Sequence, residues 1–457
     1  AGVPSGFYFG TPPIPPEGYY THHPPLLPLL VAGSFRILGE SEWAARLVPT
    51  LASLFGVVLL WLLVKDCSSA RTATFAAALF AATPMEIHYG RMVNFEAVDL
   101  VWMLGMLIFL RRWEQTGRRL WRNLLIFAIA LALCTAWLGY IFALVLSLHF
   151  MTSPDRKYRR FGGLVLVLCV ASVVLFFAQI HAVQPAAWES VAKAFRWRTA
   201  QTGTPVTWSD WSKRMVDLLL LHIQPVTWLL AVAGTCLTLR RRRENADLRW
   251  LGWAALCFFE MNAFYVVAFR NASSIHDYAS FYFAVPTALM GAVALEELVQ
   301  WSERTAPRFA LAMGCVILLG LGALSFTGQR TALTLRKPFH ILTVEGEEPP
   351  TLIPDLGRAI RGWFPEDTAV FCNFLPYYGP QLHYYAQRDI LGSVFTPDGL
   401  QSVTSDPEND PYGGVVWLGD GRARALLASL PHGTRKEERT IDGVHFCFWL
   451  PAPHEQK

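Results

Sequence analysis

"HHPPLLPLLVAGSFRILGESEWAARLVPTLASLFGVVLLWLLVK" runs from His22 to Lys65 and holds two apolar segments of different kinds. The first follows two histidines and two prolines. It is too short and too proline-rich to span a bilayer, and it reads as a juxtamembrane helix whose prolines start its first turn. The second, 44–64, has the length of about 20 residues that a bilayer core of about 30 Å requires. Between them "GESEWAAR" (39–46) sets Glu40, Glu42 and Arg46 just ahead of the span. A titratable cluster, an interfacial helix and then a true span define a polytopic membrane chain with polar groups gathered at one membrane face.

The rest of the chain repeats the theme. Of its 457 residues 53% are hydrophobic and only 16% charged, against about a quarter in soluble domains. Mean hydropathy is +0.31. Seventeen tryptophans and thirty phenylalanines suit aromatic belts. Spanning segments are predicted at 44–64, 72–88, 94–111, 122–137, 138–152, 161–182, 218–239, 248–269, 279–300 and 308–327. A large soluble core would not use this many apolar runs separated by arginine clusters.

Those clusters set an orientation. "RRWEQTGRRLWR" (111–122), "DRKYRR" (155–160) and "RRRR" (240–243) fall in every second loop, together with Lys65, Arg71, Arg304 and Arg308. The positive-inside rule puts these loops in the cytoplasm. The loops at 89–93, 183–217 and 270–278, and both chain ends, are then expected outside. An external start without a cleavage signal predicts a further helix upstream of Ala1.

Residues 329–457 change character. Short apolar runs, "TAVFCN" (368–373), "GGVVWLG" (413–419) and "HFCFWL" (445–450), alternate with the helix-like "PDLGRAIRGWF" and "RARALLASL". This predicts a small C-terminal α/β domain outside the membrane. The expected division is 1–43 as an extracytoplasmic loop and juxtamembrane helix, 44–328 as the transmembrane domain and 329–457 as the α/β domain. Six cysteines are scattered singly along the membrane part, without a CxxC pair or Cys/His metal spacing. Cys372 and Cys447 lie in predicted strands of the outer domain. A disulfide and two buried thiols both remain open for them.

Polar residues collect at the expected outer face. They are His22 and His23; Glu42 and Arg46; Arg91, Asn94 and Glu96 in "HYGRMVNFEAVD" (88–99); Arg198 in "FRWRTAQ" (195–201); and His276, Asp277 and Tyr278 in "NASSIHDYASFYF" (271–283). Ionisable groups at membrane depth are costly, so they are usually functional or paired. Taken singly, each reads as an interface anchor or a local ion pair. Five clusters on one face suit a site for a lipid-linked phosphate. Arginine offers oxygens a planar fork, and histidine adds charge or a proton. A neighbouring carboxylate suits a base for an acceptor or a divalent-metal ligand. No GxxxxGK[ST] loop is present, so nothing suggests nucleotide-driven transport.

"HHPPLLPLLVAGSFRILGESEWAARLVPTLASL" followed by "TPMEIHYGRMVNFEAVDL" resembles the GT-C-fold membrane glycosyltransferases. The branch is the family-39 type, related to protein O-mannosyltransferases and lipid A aminoarabinose transferases. The resemblance covers roughly residues 15 to 330, and "LHYYAQRDI" (382–390) resembles a stretch of the outer domains. It implies a GT-C-like domain of about ten transmembrane helices in a bacterial-type inner membrane. It implies transfer of a sugar from a polyprenyl-phosphate donor to a lipid, glycan or protein acceptor on the outer face, with membrane lipid and no nucleic acid as partners.

The resemblance implies that Glu96, where the aminoarabinose branch holds an aspartate, lies in the active cavity, with His22, His23 and the helix start at Tyr278 near the donor phosphate. With the clusters above, the expected roles are Glu96 as catalytic carboxylate, His22, His23, Arg91, Arg198, His276 and Tyr278 as donor-phosphate ligands, and Glu42, Arg46, Asn94 and Asp277 as further cavity residues. Relatives carry an acidic residue and a lysine where His22 and His23 stand. The family's catalytic acidic residue belongs to the first outer loop, upstream of the aromatic–proline stretch. Residues 1–18 hold only Glu17, in a different setting, so that acid is expected upstream. Two rival functions come from other classes. A transporter or flippase predicts inverted repeats and mid-membrane polar groups. A scaffold predicts a large apolar patch on the outer domain.

Overall fold

A computed structural model describes residues 21–183, 185, 187–202, 206–334, 352–365, 370–372, 382, 385–388, 390–392, 414–418 and 435–450. The "RARALLASL" helix (422–430) and Glu17 lie outside the described residues. The chain divides into two units, a helical one that runs to Arg336 and a smaller one from Lys337 onward.

The helical unit opens with α1 (Leu26–Leu38), α2 (Glu42–Lys65), α3 (Ala70–Ala81), α4 (Pro84–Tyr89), α5 (Phe95–Thr116), α6 (Arg119–Leu133), α7 (Trp137–Met151) and α8 (Arg156–Val183). It continues with α9 (Ala187–Arg198), α10 (Trp208–Ile223), α11 (Pro225–Arg241), α12 (Ala246–Ala268) and α13 (Arg270–Ile275). A 3-10 turn (Asp277–Phe283), α14 (Ala284–Thr305) and α15 (Ala310–Thr334) complete it.

Local sequence sets the boundaries. Ser41, Ser69, Thr207 and Asn245 cap α2, α3, α10 and α12 with side-chain oxygens that accept from the first turn. Gly117, at φ +65°, closes α5 in the left-handed region, as a glycine C-cap does.

Among the described residues five helices are long and apolar enough to cross a membrane: α2, α8, α12, α15, and the 3-10 turn continued into α14. The bent pair of α10 and α11 makes a sixth if taken as one span. The shorter or more polar α3, α5, α6 and α7 pack among them. This is a multi-pass helical membrane protein.

Three sequence expectations need correction. The run 218–239 is broken at Gln224, where α10 and α11 meet at 93°. Pro225 has no N–H to extend the ladder and disfavours helical backbone at the residue before it, and Gln224 leaves the helix at φ +68°. The run 72–88 is likewise two helices, with Pro84 restarting the second. The stretch 183–217, read as a loop, holds α9 and the first half of α10.

Because the helices alternate in direction, their turns collect at two ends. One end gathers the arginine-rich turns and is tied by ion pairs. Arg71 bridges Glu296 (2.8 Å) and Glu303 (2.7 Å), Arg241 meets Glu297 (2.5 Å), Arg112 meets Asp66 (3.1 Å) and Arg111 meets Asp247. The other end gathers the starts of α5 and α7, the ends of α4, α9 and α12, and the 3-10 turn. It carries the polar clusters.

The smaller unit is a five-stranded mixed sheet of β1 (Val370–Cys372), β2 (Ile390–Gly392), β3 (Gly414–Leu418), β4 (Arg435–Ile441) and β5 (Val444–Leu450). Its order is β2-β1-β3-β5-β4, parallel through β3 and antiparallel beyond it. Asp442 and Gly443, both at positive φ, close the β4–β5 hairpin. α16 (Leu352–Trp363) buries Leu352, Leu356 and Ile360 in the same core as Val370, Val416 and Phe448. The cysteine question resolves against a disulfide, because both thiols are free and buried. Cys372 aligns with Val416, which aligns with Phe448, so Cys447 lies one residue off and points to the opposite face two strands away.

Candidate active site

The segment that opens the helical unit is pinned to the ends of two helices. Leu26 N–H donates to Cys134 O at 2.9 Å, and Trp137 Nε1 donates to His22 O at 2.7 Å. This brings His23 face to face with Phe95 at the start of α5, with centroids 4.5 Å apart. Arg198, the last residue of α9, is the cation shared by the group. Its charge reaches His22, His23 and His276. Asn271 holds the end of α9 in place, with its amide donating to Trp197 O at 3.0 Å and its oxygen accepting from Val206 N–H at 3.1 Å.

That geometry settles the charge on the histidines. Burial, then Arg198 and His22, push the His23 pKa down to about 3. Burial and Arg198 lower His22 and His276 as well, with Asp277 opposing at His276. Lowering of this kind favours the neutral rings, which can offer N–H donors beside the arginine's charge.

Carboxylates lie alongside. Glu96 sits in the first turn of α5, where the helix dipole favours an anion. It is buried, and its Oε2 has no hydrogen-bond partner among the described residues. Asp277 starts the 3-10 turn and accepts a hydrogen bond from the Tyr89 hydroxyl. Tyr278 stacks on His276 at 5.0 Å and meets Tyr89 edge to face at 6.3 Å. The structure thus brings together His22, His23, Arg198, Glu96, His276, Asp277 and Tyr278.

The other sequence candidates sit differently. Asn94 caps α5, its Oδ1 accepting from Phe95 N–H at 3.0 Å. Arg91 lies in the turn between α4 and α5, half-buried, with the backbone there tied by Asn94 N–H to Met92 O at 2.7 Å. Glu42 and Arg46 form an i,i+4 ion pair at the start of α2, with much of both side chains exposed.

Several polar residues escaped the sequence reading. Tyr89 is one. His222, fully buried at the end of α10, is another. Its Nδ1 is 2.8 Å from Ser280 Oγ, which itself donates to Asp277 O at 3.0 Å. Glu86, buried under the Ser53 hydroxyl, and Asp99, one turn below Glu96, complete the set. The signal was a single polar letter in an apolar run, which composition does not weigh. Among the described residues no three His, Cys, Asp or Glu side chains converge as metal ligands.

The fold is the GT-C fold of membrane glycosyltransferases. Residues 22–181 match the family described as dolichyl-phosphate-mannose-protein mannosyltransferase. The chain is similar to ArnT from Cupriavidus metallidurans bound to undecaprenyl phosphate, with TM-score 0.65 and 14% identity over 95% of this chain and 89% of that one. It is similar to the apo oligosaccharyltransferase of Archaeoglobus fulgidus, with TM-score 0.57 and 14% identity over 90% and 63%. It also resembles AglB from that organism in complex with an inhibitory peptide and a dolichol-phosphate, with TM-score 0.55 and 15% identity over 91% and 63%. No curated protein matches the sequence.

Proposed function

We propose that the protein is a glycosyltransferase that moves a sugar from a polyprenyl-phosphate donor to a lipid, glycan or protein acceptor on the outer face of the cytoplasmic membrane. The observation that carries this reading is one cation, Arg198, among neutral histidines beside the buried Glu96, at the end of the helical unit opposite the arginine-rich turns. Relatives whose structures hold undecaprenyl phosphate or dolichol-phosphate support the donor class.

In this reading the acceptor O–H proton passes to Glu96 as the acceptor oxygen bonds to the anomeric carbon. The bond from that carbon to phosphate oxygen breaks, and the lipid phosphate leaves as an anion. Arg198 and Arg91 hold the phosphate as forked donors, with N–H groups of His22, His23 and His276 and the Tyr278 hydroxyl beside them. Asp277, Asn94, Glu42 and Arg46 shape the surroundings. The smaller unit belongs to the outer side.

The test is loss of radiolabelled mannose from polyprenyl-phosphate mannose in membranes containing the full-length protein. Losing a charge-assisted contact of about 1.5–3 kcal/mol slows turnover roughly ten- to a hundredfold, which is the expected result for Arg198→Ala. Unchanged rates in Arg198→Ala and Glu96→Gln refute the roles, and equal transfer from a nucleotide sugar alone refutes the donor class. A transporter gains one observation, the sharp bend at Gln224. The Gln224 amide there donates to Leu324 O at 3.1 Å and Thr327 Oγ1 at 3.0 Å, so the break is closed by protein rather than left to a solute.

A further inference from the structure

Asp99 is the most buried carboxylate beside the site and has no part in the reading above. It is 0% exposed, and neither oxygen has a hydrogen-bond partner among the described residues. It lies three residues after Glu96, on the same face of α5 and one turn deeper. The two carboxyl groups lie within electrostatic reach of each other, and the Gly139 amide at the start of α7 faces Asp99. The phenol of Tyr282, itself 1% exposed, lies within electrostatic reach of both and approaches Glu96 O at 3.4 Å. The other titratable groups facing Glu96 are Asp277 from the 3-10 turn, Tyr89 from α4 and Tyr265 from α12. Arg198 acts on the histidines and on Tyr265.

Two anions one helical turn apart on a buried helix face repel each other strongly, so the second is costly to form. Like charges in one buried site ionise in separate steps, and the first proton to leave belongs to the pair. Glu96 is the better placed of the two to be the anion, because it lies nearer the helix N-terminus and the polar end of the unit.

We propose that Glu96 and Asp99 share one proton, with Asp99 as a positioning residue that keeps the neutral form so that Glu96 holds the charge. This rests on the reading of Glu96 as the base. Asp99 touches no reacting atom. Its proton keeps a second negative charge away from the departing lipid phosphate, and it narrows the pH range over which Glu96 is both ionised and tolerated. Activity then falls on the acid side, when both groups are protonated, and on the alkaline side, when both are ionised.

The test is the pH profile of kcat for release of mannose from polyprenyl-phosphate mannose by the full-length protein in membranes. The wild type should give a bell. Asp99→Asn is neutral at every pH and of the same shape. It should keep the acid limb in place, retain a plateau rate within about threefold of wild type, and lose the alkaline limb. Asp99→Ser, smaller and equally neutral, gives the same readout if the amide does not pack. A wild-type profile without an alkaline limb overturns the proposal, and so does a variant whose two limbs match the wild type. An acid limb displaced to lower pH also overturns it, because Asp99 would then already be an anion. Glu96→Gln separates the two readings. If it is as active as wild type, the base assignment fails. If it is inactive while Asp99→Asn keeps the wild-type bell, only the shared proton fails.

Discussion

His23 shows how a neighbour reached from far along the chain rewrites what a residue can do. Beside prolines and ahead of an apolar helix it reads as a candidate cation, yet the ring lies against Phe95 and faces Arg198. Its pKa in the folded protein is lowered to about 3, so the unfolded chain binds the proton more readily. Its contribution to stability is whole above its unfolded value of about 6.5 and is lost as pH falls toward 3. Thermal midpoints in detergent should therefore fall between pH 7 and pH 5, and His23→Phe should make that fall shallower. Equal slopes in the two proteins would show that the ring is hydrated. At the same scale, Glu96→Gln should cut turnover by about a hundredfold or more, as loss of a general base does, with an unchanged thermal midpoint. The histidines, Glu96 and the His276–Tyr278 segment were legible because each sits in a polar cluster. Tyr89 and His222 were not, since their partners Asp277 and Ser280 lie 188 and 58 residues away.

Among elements, α11 and α14 come closest. A Cβ on Gly234 would stand 1.8 Å from Met290 O and 3.3 Å from Ala294 N, which are backbone atoms that cannot swing aside. Small residues let helix backbones approach within a membrane. Gly234→Ala should lower stability by about 1–3 kcal/mol, the usual cost of overpacking, whereas Gly163→Ala, with nothing within 4 Å, should leave it level or raise it. Comparison of the two thermal midpoints checks this, and a tolerated Gly234→Leu would refute the close approach. The glycine is one letter among many in an apolar run, so this packing was not readable beforehand. The spans were readable, because length and hydropathy decide them. Breaks within them depend on a proline whose effect tertiary contacts can suppress or permit, as at Pro49, which stays inside α2, and Pro225, which does not. In the sheet, β5 announced itself by its apolar run. β4, "RKEERTI", did not, since an edge strand carries charge where a central strand carries valine.

For the whole molecule, the two ends of the helical unit differ in kind, and the orientation proposed from the arginines rests on that difference. In a background without native cysteines, a cysteine at Ala200 should react with an impermeant reagent added from outside, while cysteines at Gln115 and Glu244 should react only after the membrane is opened. External labelling at Gln115 would reverse the molecule and move the site to the cytoplasm. The GT-C architecture was legible from linked motifs spread over the first hundred residues, because it follows from the order of helices and interfacial turns. The assembly of the site was less so, since it needs α4, α5, α9, α10 and the 3-10 turn at once.

The pairing of Arg71 with Glu296 also fixes an order of events in time. The partners are 225 residues apart. At synthesis rates of about 5–20 residues per second, α3 is in place for roughly eleven to forty-five seconds before Glu296 is made. Through that interval Arg71 has not met its acidic partners, and in the orientation proposed above its charge would count toward the cytoplasmic side. Once α14 enters, the same guanidinium turns to Glu296 and Glu303 and joins α3 to α14. In that proposed orientation one arginine would serve first as an address and later as a latch. Glu296→Gln should leave the address intact, giving a chain that inserts the right way round and then closes loosely.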